Sequence, residues 1–215
     1  MIKVVVTQRV DYIKGYEETR DAVDQKLSEW LVQAGFFPVP ISNILVVIHN
    51  NKDTQVNEQP MLQNWLSAIK PNAVLLSGGN DIGEFPQRDA TEYHLLNWAK
   101  AQKVPVLGIC KGMQIMAVWA GGKLVKVNNH ISTRHQLNTD KLDGGWPSEV
   151  NSFHKWGLDS CPLHFEVKAR TDDGVIEAIK HNKLPWEGWM WHPERDSPFG
   201  ELEMKRVKEL FNGKD

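Results

Sequence analysis

PVLGICKGMQIMAVWAGG, residues Pro105 to Gly122, changes character in its middle. The first part, with Val104 ahead of it, is a short apolar run, Val104-Pro105-Val106-Leu107-Gly108-Ile109, of the kind that forms a strand buried on both faces. The second part places Met113, Ile115, Met116 and Trp119 at helical spacings. Cys110 stands at the junction, with Gly108 and Gly112 two residues to either side. A strand that turns abruptly into a helix crowds its backbone, and glycine tolerates this. The nucleophile elbow of hydrolases meets the same demand with G-x-S-x-G; here Gly108-Ile109-Cys110-Lys111-Gly112 has sulfur in place of oxygen. A thiol so placed faces the positive end of a helix dipole, which favours the nucleophilic thiolate. The competing reading is a buried structural cysteine between two packing glycines, and the short pattern alone does not separate the two.

A second stretch does. Gly188-Trp189-Met190-Trp191-His192-Pro193-Glu194 reads as an apolar strand ending in His-x-Glu. On an extended segment His192 and Glu194 share a face, so the imidazole can take a proton from Cys110 while the carboxylate fixes its tautomer. Either motif alone would pass for ordinary structure. Together they predict a Cys110, His192, Glu194 triad.

Outward from the elbow, the chain alternates strands and helices. Ile2 to Thr7 is a buried-strand pattern, and Tyr16 to Ala34 reads as a helix whose inner face is Val23, Leu27, Trp30, Leu31 and Ala34, with Gly35 as its stop. Tyr16, Glu17, Glu18 and Arg20 fall at its solvated start. Phe36 to Pro40 and Ile44 to Ile48 are extended; His49 to Gln59 is a polar loop; a helix runs from Gln59-Pro60-Met61 through Ile69. Ala73 to Leu76 is a strand leading into Ser77-Gly78-Gly79, and Thr91 to Ala101 is a helix before the elbow strand. Past Gly122 come short strands over Lys123–Val127, Glu149–Phe153, Phe165–Arg170, Val175–Lys180 and Trp189–Trp191, a polar loop or lid from Asn128 to Pro147, and a closing helix from Leu202 to Phe211. The order predicts one three-layer α/β domain over residues 1–215, a mostly parallel sheet with helices on both faces. Ligands of such sheets bind beyond the carboxyl ends of the strands, where Cys110 and the Ser77-Gly78-Gly79 loop both fall.

The 215 residues carry 25 basic and 27 acidic side chains for a net charge of −2, evenly spread, which advertises no nucleic-acid partner. Two cysteines, Cys110 and Cys161, make a poor disulfide framework and favour a reducing, cytoplasmic setting. Met1-Ile2-Lys3-Val4-Val5-Val6 reads as a first strand and not as a signal peptide or membrane span. Nine tryptophans are expected mostly in the core or groove, with a few left for a partner surface, and a homodimer is left open. His130, Arg134 and His135 cluster in the polar loop, but no cysteine or carboxylate nearby completes a ligand set, so neither metal nor cofactor is expected.

Leu76-Ser77-Gly78-Gly79-Asn80-Asp81, Gly108-Ile109-Cys110-Lys111-Gly112-Met113-Gln114 and Trp191-His192-Pro193-Glu194, in this order, resemble the motifs of a class I glutamine amidotransferase-type domain of flavodoxin-like fold. Within that group the chain is most similar to the stand-alone γ-glutamyl hydrolases, of the γ-glutamyl-γ-aminobutyrate hydrolase type, over nearly its whole length. The resemblance implies cysteine-dependent hydrolysis of a γ-glutamyl amide through a glutamyl thioester, with a small-molecule substrate. That substrate includes, by the same resemblance, a γ-glutamyl-γ-aminobutyrate-like amide or a nucleotide-linked one of surface-polysaccharide modification. The alternative is a glutaminase subunit delivering ammonia to a separate synthase.

An elbow nucleophile usually draws one oxyanion donor from the residue after it, here the Lys111 amide, and the resemblance adds Gly79. Gln114 follows Cys110 by one helical turn, and its counterpart in the family helps bind the glutamyl group; a solvated helix glutamine is the bland alternative. Asn151-Ser152-Phe153-His154 resembles the segment whose backbone holds the substrate α-amino and α-carboxyl groups, which nominates Ser152 and Phe153. Arg88-Asp89 with Glu92 resembles the R-D-x-x-E stretch after the glycine loop: a substrate-carboxylate contact, a loop anchor, or merely a helix-surface ion pair. Asn80 joins the substrate-binding set. Arg195 follows His-Pro-Glu where many relatives have serine.

Overall fold

Val4, Val5 and Val6 of the first strand, β1 (Lys3–Val6), are wholly buried, as a strand covered on both faces must be. The computed structural model describes residues 1–48, 59–139 and 145–213. After β1 come a hairpin of β2 (Arg9–Ile13) and β3 (Glu18–Ala22), then α1 (Gln25–Gln33), β4 (Phe37–Pro40), α2 (Pro60–Ile69) and β5 (Ala73–Leu76). Next are α3 (Pro86–Gln102), β6 (Val106–Ile109), α4 (Lys111–Trp119), β7 (Leu124–Lys126), β8 (Ile131–Gln136) and β9 (Asn138–Thr139). The chain ends with β10 (Glu149–Phe153), β11 (Trp156–Leu158), β12 (Phe165–Arg170), β13 (Ile176–His181), β14 (Trp186–Trp189) and α5 (Glu201–Asn212).

The main sheet runs β4-β1-β5-β6-β14-β13-β12-β9. Neighbours from β4 to β14 are parallel, and β13, β12 and β9 continue the sheet antiparallel. This is the flavodoxin-like order with an antiparallel extension. Alternation along the strands feeds two cores. Val4, Val6, Leu75 and Leu107 face α1 and α5, whose Leu27, Trp30, Val207 and Phe211 pack on them. Val5, Val74, Leu76 and Val106 face the other way, onto Leu62, Leu66, Leu95, Met113 and Met116 of α2, α3 and α4. Cys110, Ser77-Gly78 and His192 thus emerge at the carboxyl ends of β6, β5 and β14, which lie side by side.

Several sequence expectations are corrected. Tyr16 to Ala22 is the hairpin and not the start of a helix. Gly15 and the positive φ of Glu17 make its turn, and Asp21 is claimed by tertiary bonds from Ser42 Oγ (2.9 Å), Asn43 N (2.9 Å) and Asn43 Nδ2 (2.7 Å). Helix propensity is too weak a preference to resist such a set. The helix begins after Asp24, whose carboxylate caps the Lys26 amide, and ends before Gly35 at φ 91°. Asn43–Leu45 is a 3-10 turn where a strand was expected over Ile44 to Ile48. The expected loop from Asn128 to Pro147 contains β8, paired antiparallel with β10, and β9; polar strand faces left no alternation to read. Residues 49–58 and 140–144 of the expected loops lie outside the described residues. No tryptophan is among the exposed large hydrophobics of the described residues; Trp65, Trp98, Trp119 and Trp156 are half-buried. Among the described residues no helix is long and apolar enough to cross a membrane.

Candidate active site

Cys110 is the N-cap of α4 with φ 51° and ψ −106°. A non-glycine residue at positive φ costs ~1–3 kcal/mol and persists only where its surroundings over-determine it. Here the Cys110 N–H donates to Trp189 O at 2.7 Å, tying the elbow to β14. The turn is also packed without slack. A Cβ on Gly112 would lie 2.0 Å from Leu76 O, and one on Gly108 would lie 2.6 Å from the Gly112 backbone. Neither glycine has a positive φ, so both are there for space and not for dihedral freedom. The Lys111 N–H opens α4 and, like every first-turn amide, has no carbonyl four residues back.

His192 lies three residues beyond β14. Asn151 of β10 clamps its main chain from both sides: Asn151 Nδ2 donates to His192 O (2.8 Å), and His192 N donates to Asn151 Oδ1 (3.0 Å). His192 Nδ1 and Glu194 Oε1 are 2.6 Å apart. Pro193–Arg195 is a 3-10 turn, so this turn, and not the expected extended pleat, sets the carboxylate beside the ring. With Nδ1 committed to Glu194, Nε2 is the nitrogen left for the thiol. Burial disfavours the imidazolium, but its hydrogen bonds to the Cys110 sulfur and the Glu194 carboxylate outweigh this and raise the His192 pKa from 6.5 to about 9. Gly78 closes the other side. A Cβ there would stand 2.5 Å from His192 Cε1, so glycine is what lets the loop lie against the imidazole.

The loop Ser77-Gly78-Gly79-Asn80 is held from beneath. Arg88 Nη2 donates to Ser77 O (2.8 Å) and Gly78 O (2.9 Å), Nη1 to Asn80 Oδ1 (3.2 Å), and Nε to Glu92 Oε1 (3.2 Å). Lys111 Nζ reaches back to Asp89 Oδ1 at 2.7 Å and to Glu92. Arg88, Glu92 and Lys111 are all buried, unlike a helix-surface ion pair. Burial pushes the Glu92 carboxyl upward, yet Lys111 and Arg88 beside it hold it below the usual range.

These contacts revise two substrate-binding expectations. Arg88 is enclosed and anchors the loop; it does not present itself to a ligand. Asn80 brackets Val10 of the hairpin, accepting from its N–H (2.7 Å) and donating to its carbonyl (2.9 Å). The Ser152 hydroxyl points inward, donating to His130 O at 2.8 Å. Gln114 is buried, not solvated, and donates to Trp156 O at 3.0 Å. Phe153 does border His192, edge to face at 5.9 Å, with the Arg195 guanidinium 4.5 Å over its ring. His192 lines one crevice with Arg9, Gly78, Gly79, Glu194 and Arg195, and Arg195 also borders a second, lined by Arg134, Asn151, Phe153 and Asp196.

Asn151 and Arg9 were not singled out by the sequence. A lone asparagine within a quoted motif and an arginine 183 residues from His192 give no local signal. Of the loop cluster, His130 differs from expectation, because a carboxylate distant in sequence lies beside it. Glu177 of β13 brings its oxygen to His130 and His154, with all three ligand atoms within 4.8 Å of one another.

A cysteine elbow, an imidazole and a carboxylate at the carboxyl edge of a flavodoxin-like sheet define the class I glutamine amidotransferase-like proteins. More particularly, the chain belongs to the Peptidase C26 family, whose model matches residues 13–194. It is 30% identical over 146 residues to a gamma-glutamyl-CDP-amidate hydrolase of Campylobacter jejuni, covering 65% of this chain and 70% of that protein. It is 35% identical over 134 residues to a glutamine-hydrolyzing GMP synthase subunit of Methanothrix thermoacetophila (60% and 74%). To the gamma-glutamyl-gamma-aminobutyrate hydrolase of Escherichia coli O157:H7 it is 28% identical over 163 residues (63% and 62%). Among solved structures, a putative GMP synthase subunit from Thermoplasma acidophilum superposes with a TM-score of 0.68 at 19% identity, covering 99% of this chain and 93% of that one. A glutamine amidotransferase from Thermotoga maritima gives 0.62 at 15% identity (98% and 82%).

Proposed function

We propose that residues 1–215 form one cysteine amidase domain that hydrolyses γ-glutamyl amides. The Cys110 thiolate attacks the γ-carbonyl carbon, and the oxyanion is met by the backbone amides of Lys111 and Gly79. As the tetrahedral intermediate collapses, the C–N bond breaks and the His192 imidazolium gives its proton to the departing amine. The neutral imidazole then takes a proton from water, whose oxygen attacks the glutamyl thioester; glutamate leaves and the thiol is restored. Glu194 holds the imidazole in one tautomer and stabilises its charge. The observation that carries this reading is His192, held 2.6 Å from Glu194 with the Cys110 thiol on its other side.

Gln114 and the backbone of Ser152 and Phe153 are assigned to the glutamyl head. Phe153 and Arg195 form the wall of a looser groove for the leaving amine, where relatives would differ in substrate. The names of the Campylobacter jejuni and Escherichia coli relatives support hydrolysis of a γ-glutamyl compound. The similarity to GMP synthase subunits favours a second reading, a glutaminase subunit that passes ammonia to a synthase. One assay separates them: glutamate release by the purified chain from glutamine and from a panel of γ-glutamyl amines. Turnover of an amine conjugate without any partner is the expected result. Silence on every substrate until a synthase is added contradicts it.

A further inference from the structure

On the far side of the strand carrying Asn151 and Phe153, three side chains converge away from the groove. His130 precedes β8, His154 follows β10 and Glu177 lies in β13; their exposures are 0%, 3% and 0%. His130 Nδ1 and His154 Nε2 stand 3.4 and 3.3 Å from the same oxygen, Glu177 Oε1. Even so, His154 Nε2 and both carboxylate oxygens of Glu177 are buried without a hydrogen-bond partner among the described residues. Against its burial, the two histidines hold the Glu177 carboxyl below its usual range, yet a buried carboxylate met only at ion-pair distance remains costly to carry. Something that all three atoms face would remove that cost.

A tetrahedral zinc ion with bonds of about 2.0–2.2 Å keeps its donor atoms roughly 3.3–3.5 Å apart. The two histidine–carboxylate separations of 3.4 and 3.3 Å match that edge; the imidazole–imidazole separation, bounded at 4.8 Å, adds nothing to that match. The outer nitrogens are also prepared. His154 Nδ1 meets Trp156 O at 3.0 Å and His130 Nε2 meets Asp173 Oδ2 at 3.1 Å, the contacts that fix tautomer and ring orientation in metal-ligating histidines. With those outer contacts made, Nδ1 of His130 and Nε2 of His154 are the nitrogens turned to the carboxylate's side of the cluster.

We infer that His130, His154 and Glu177 bind a divalent transition-metal ion, zinc by the chemistry of the donor set. The fourth position belongs to water or to His135, whose Nε2 is likewise buried without a partner and whose ring centroid is 4.1 Å from that of His130. The site is structural. Trp156 O, which orients His154, also accepts from Gln114, and Glu177 O accepts from Met190 N at 2.8 Å, so the ion braces the backbone behind the groove.

The test is Co²⁺ titration of the Cys110→Ser protein, in which no thiol remains in the groove to compete. Uptake of an equimolar amount, with the visible d–d absorption of a four-coordinate ion, no thiolate charge-transfer band and displacement by Zn²⁺, is expected. His154→Gln and Glu177→Gln should weaken binding by more than ~100-fold, and Asp173→Asn by about 10-fold. Asp173 has a half-exposed side chain, so this last variant stays informative if the buried ones fail to fold. No uptake by the folded protein, or uptake undiminished by Asp173→Asn, overturns the site and leaves a buried ion-pair cluster only.

Discussion

Cys110 occupies a strained backbone conformation, and His192 carries a pKa of about 9. Each makes a prediction of its own. In the proposed reaction the imidazolium must protonate the leaving amine, and a group with a raised pKa keeps its proton below that value and loses it above. The acylation rate should therefore hold through neutral pH and fall as pH rises through about 9, measured as kcat/KM against pH. A descending limb near 6.5, the ordinary histidine value, would contradict the assignment. Asn151→Ala removes both clamps on the His192 main chain and touches no reacting atom. A drop in kcat on the order of 10²-fold with a smaller change in KM is expected from misplacement alone. Much of this scale was legible in the sequence, because the elbow glycines and His-Pro-Glu are local patterns. The main-chain groups that occupy Asn80 and Ser152 come from distant segments, and no spacing rule announces them.

The element that sets the loop is α3. Its Arg88 and Glu92, one helical turn apart, read from sequence as a substrate contact, a loop anchor or a weak surface pair, and the fold buries them with Lys111 from α4. Breaking such a buried set by removing one charge leaves an uncompensated cation. Glu92→Gln should cost about 3–5 kcal/mol in denaturant unfolding at pH 7. Its folded pKa is depressed, so the stabilisation is present above 4.5 and is lost as pH falls through the folded value; the wild-type advantage should shrink accordingly in acid. A Glu92→Gln protein as stable as the wild type would show the charges to be dispensable. Element existence was well read wherever apolar periodicity was strong, as in β1, β5, β6 and α5. It failed for the β2–β3 hairpin and for β8, whose polar strands are specified by tertiary bonds and by pairing with β10 and not by alternation.

For the whole molecule, the sheet order carries Cys110, the glycine loop and His192 to one rim, and two cores hold that rim still. On one side, Trp189 and Trp191 stack at 5.6 Å, with Trp30 edge-on to Trp189 and Trp146 edge-on to both. Arg206 covers Trp146 at 3.4 Å while its Nε donates to Glu187 at 2.7 Å. Trp189→Ala would empty the middle of this stack directly behind the elbow, at a cost of about 3–5 kcal/mol read from the urea midpoint. An unchanged midpoint would mean that the aromatic layer does not support the site. The βα order made this architecture legible. The convergence of His130, His154 and Glu177 was not, because it depends on which strands become neighbours.

The central claim is that the sulfur of Cys110 forms the covalent bond to the glutamyl group. Peptide mapping by mass spectrometry after treatment with a glutamine-like electrophile tests it most directly. The adduct is predicted on Cys110 alone, formed more slowly in His192→Ala, with the half-buried thiol of Cys161 unmodified. An adduct on Cys161, or none on Cys110, would contradict the account.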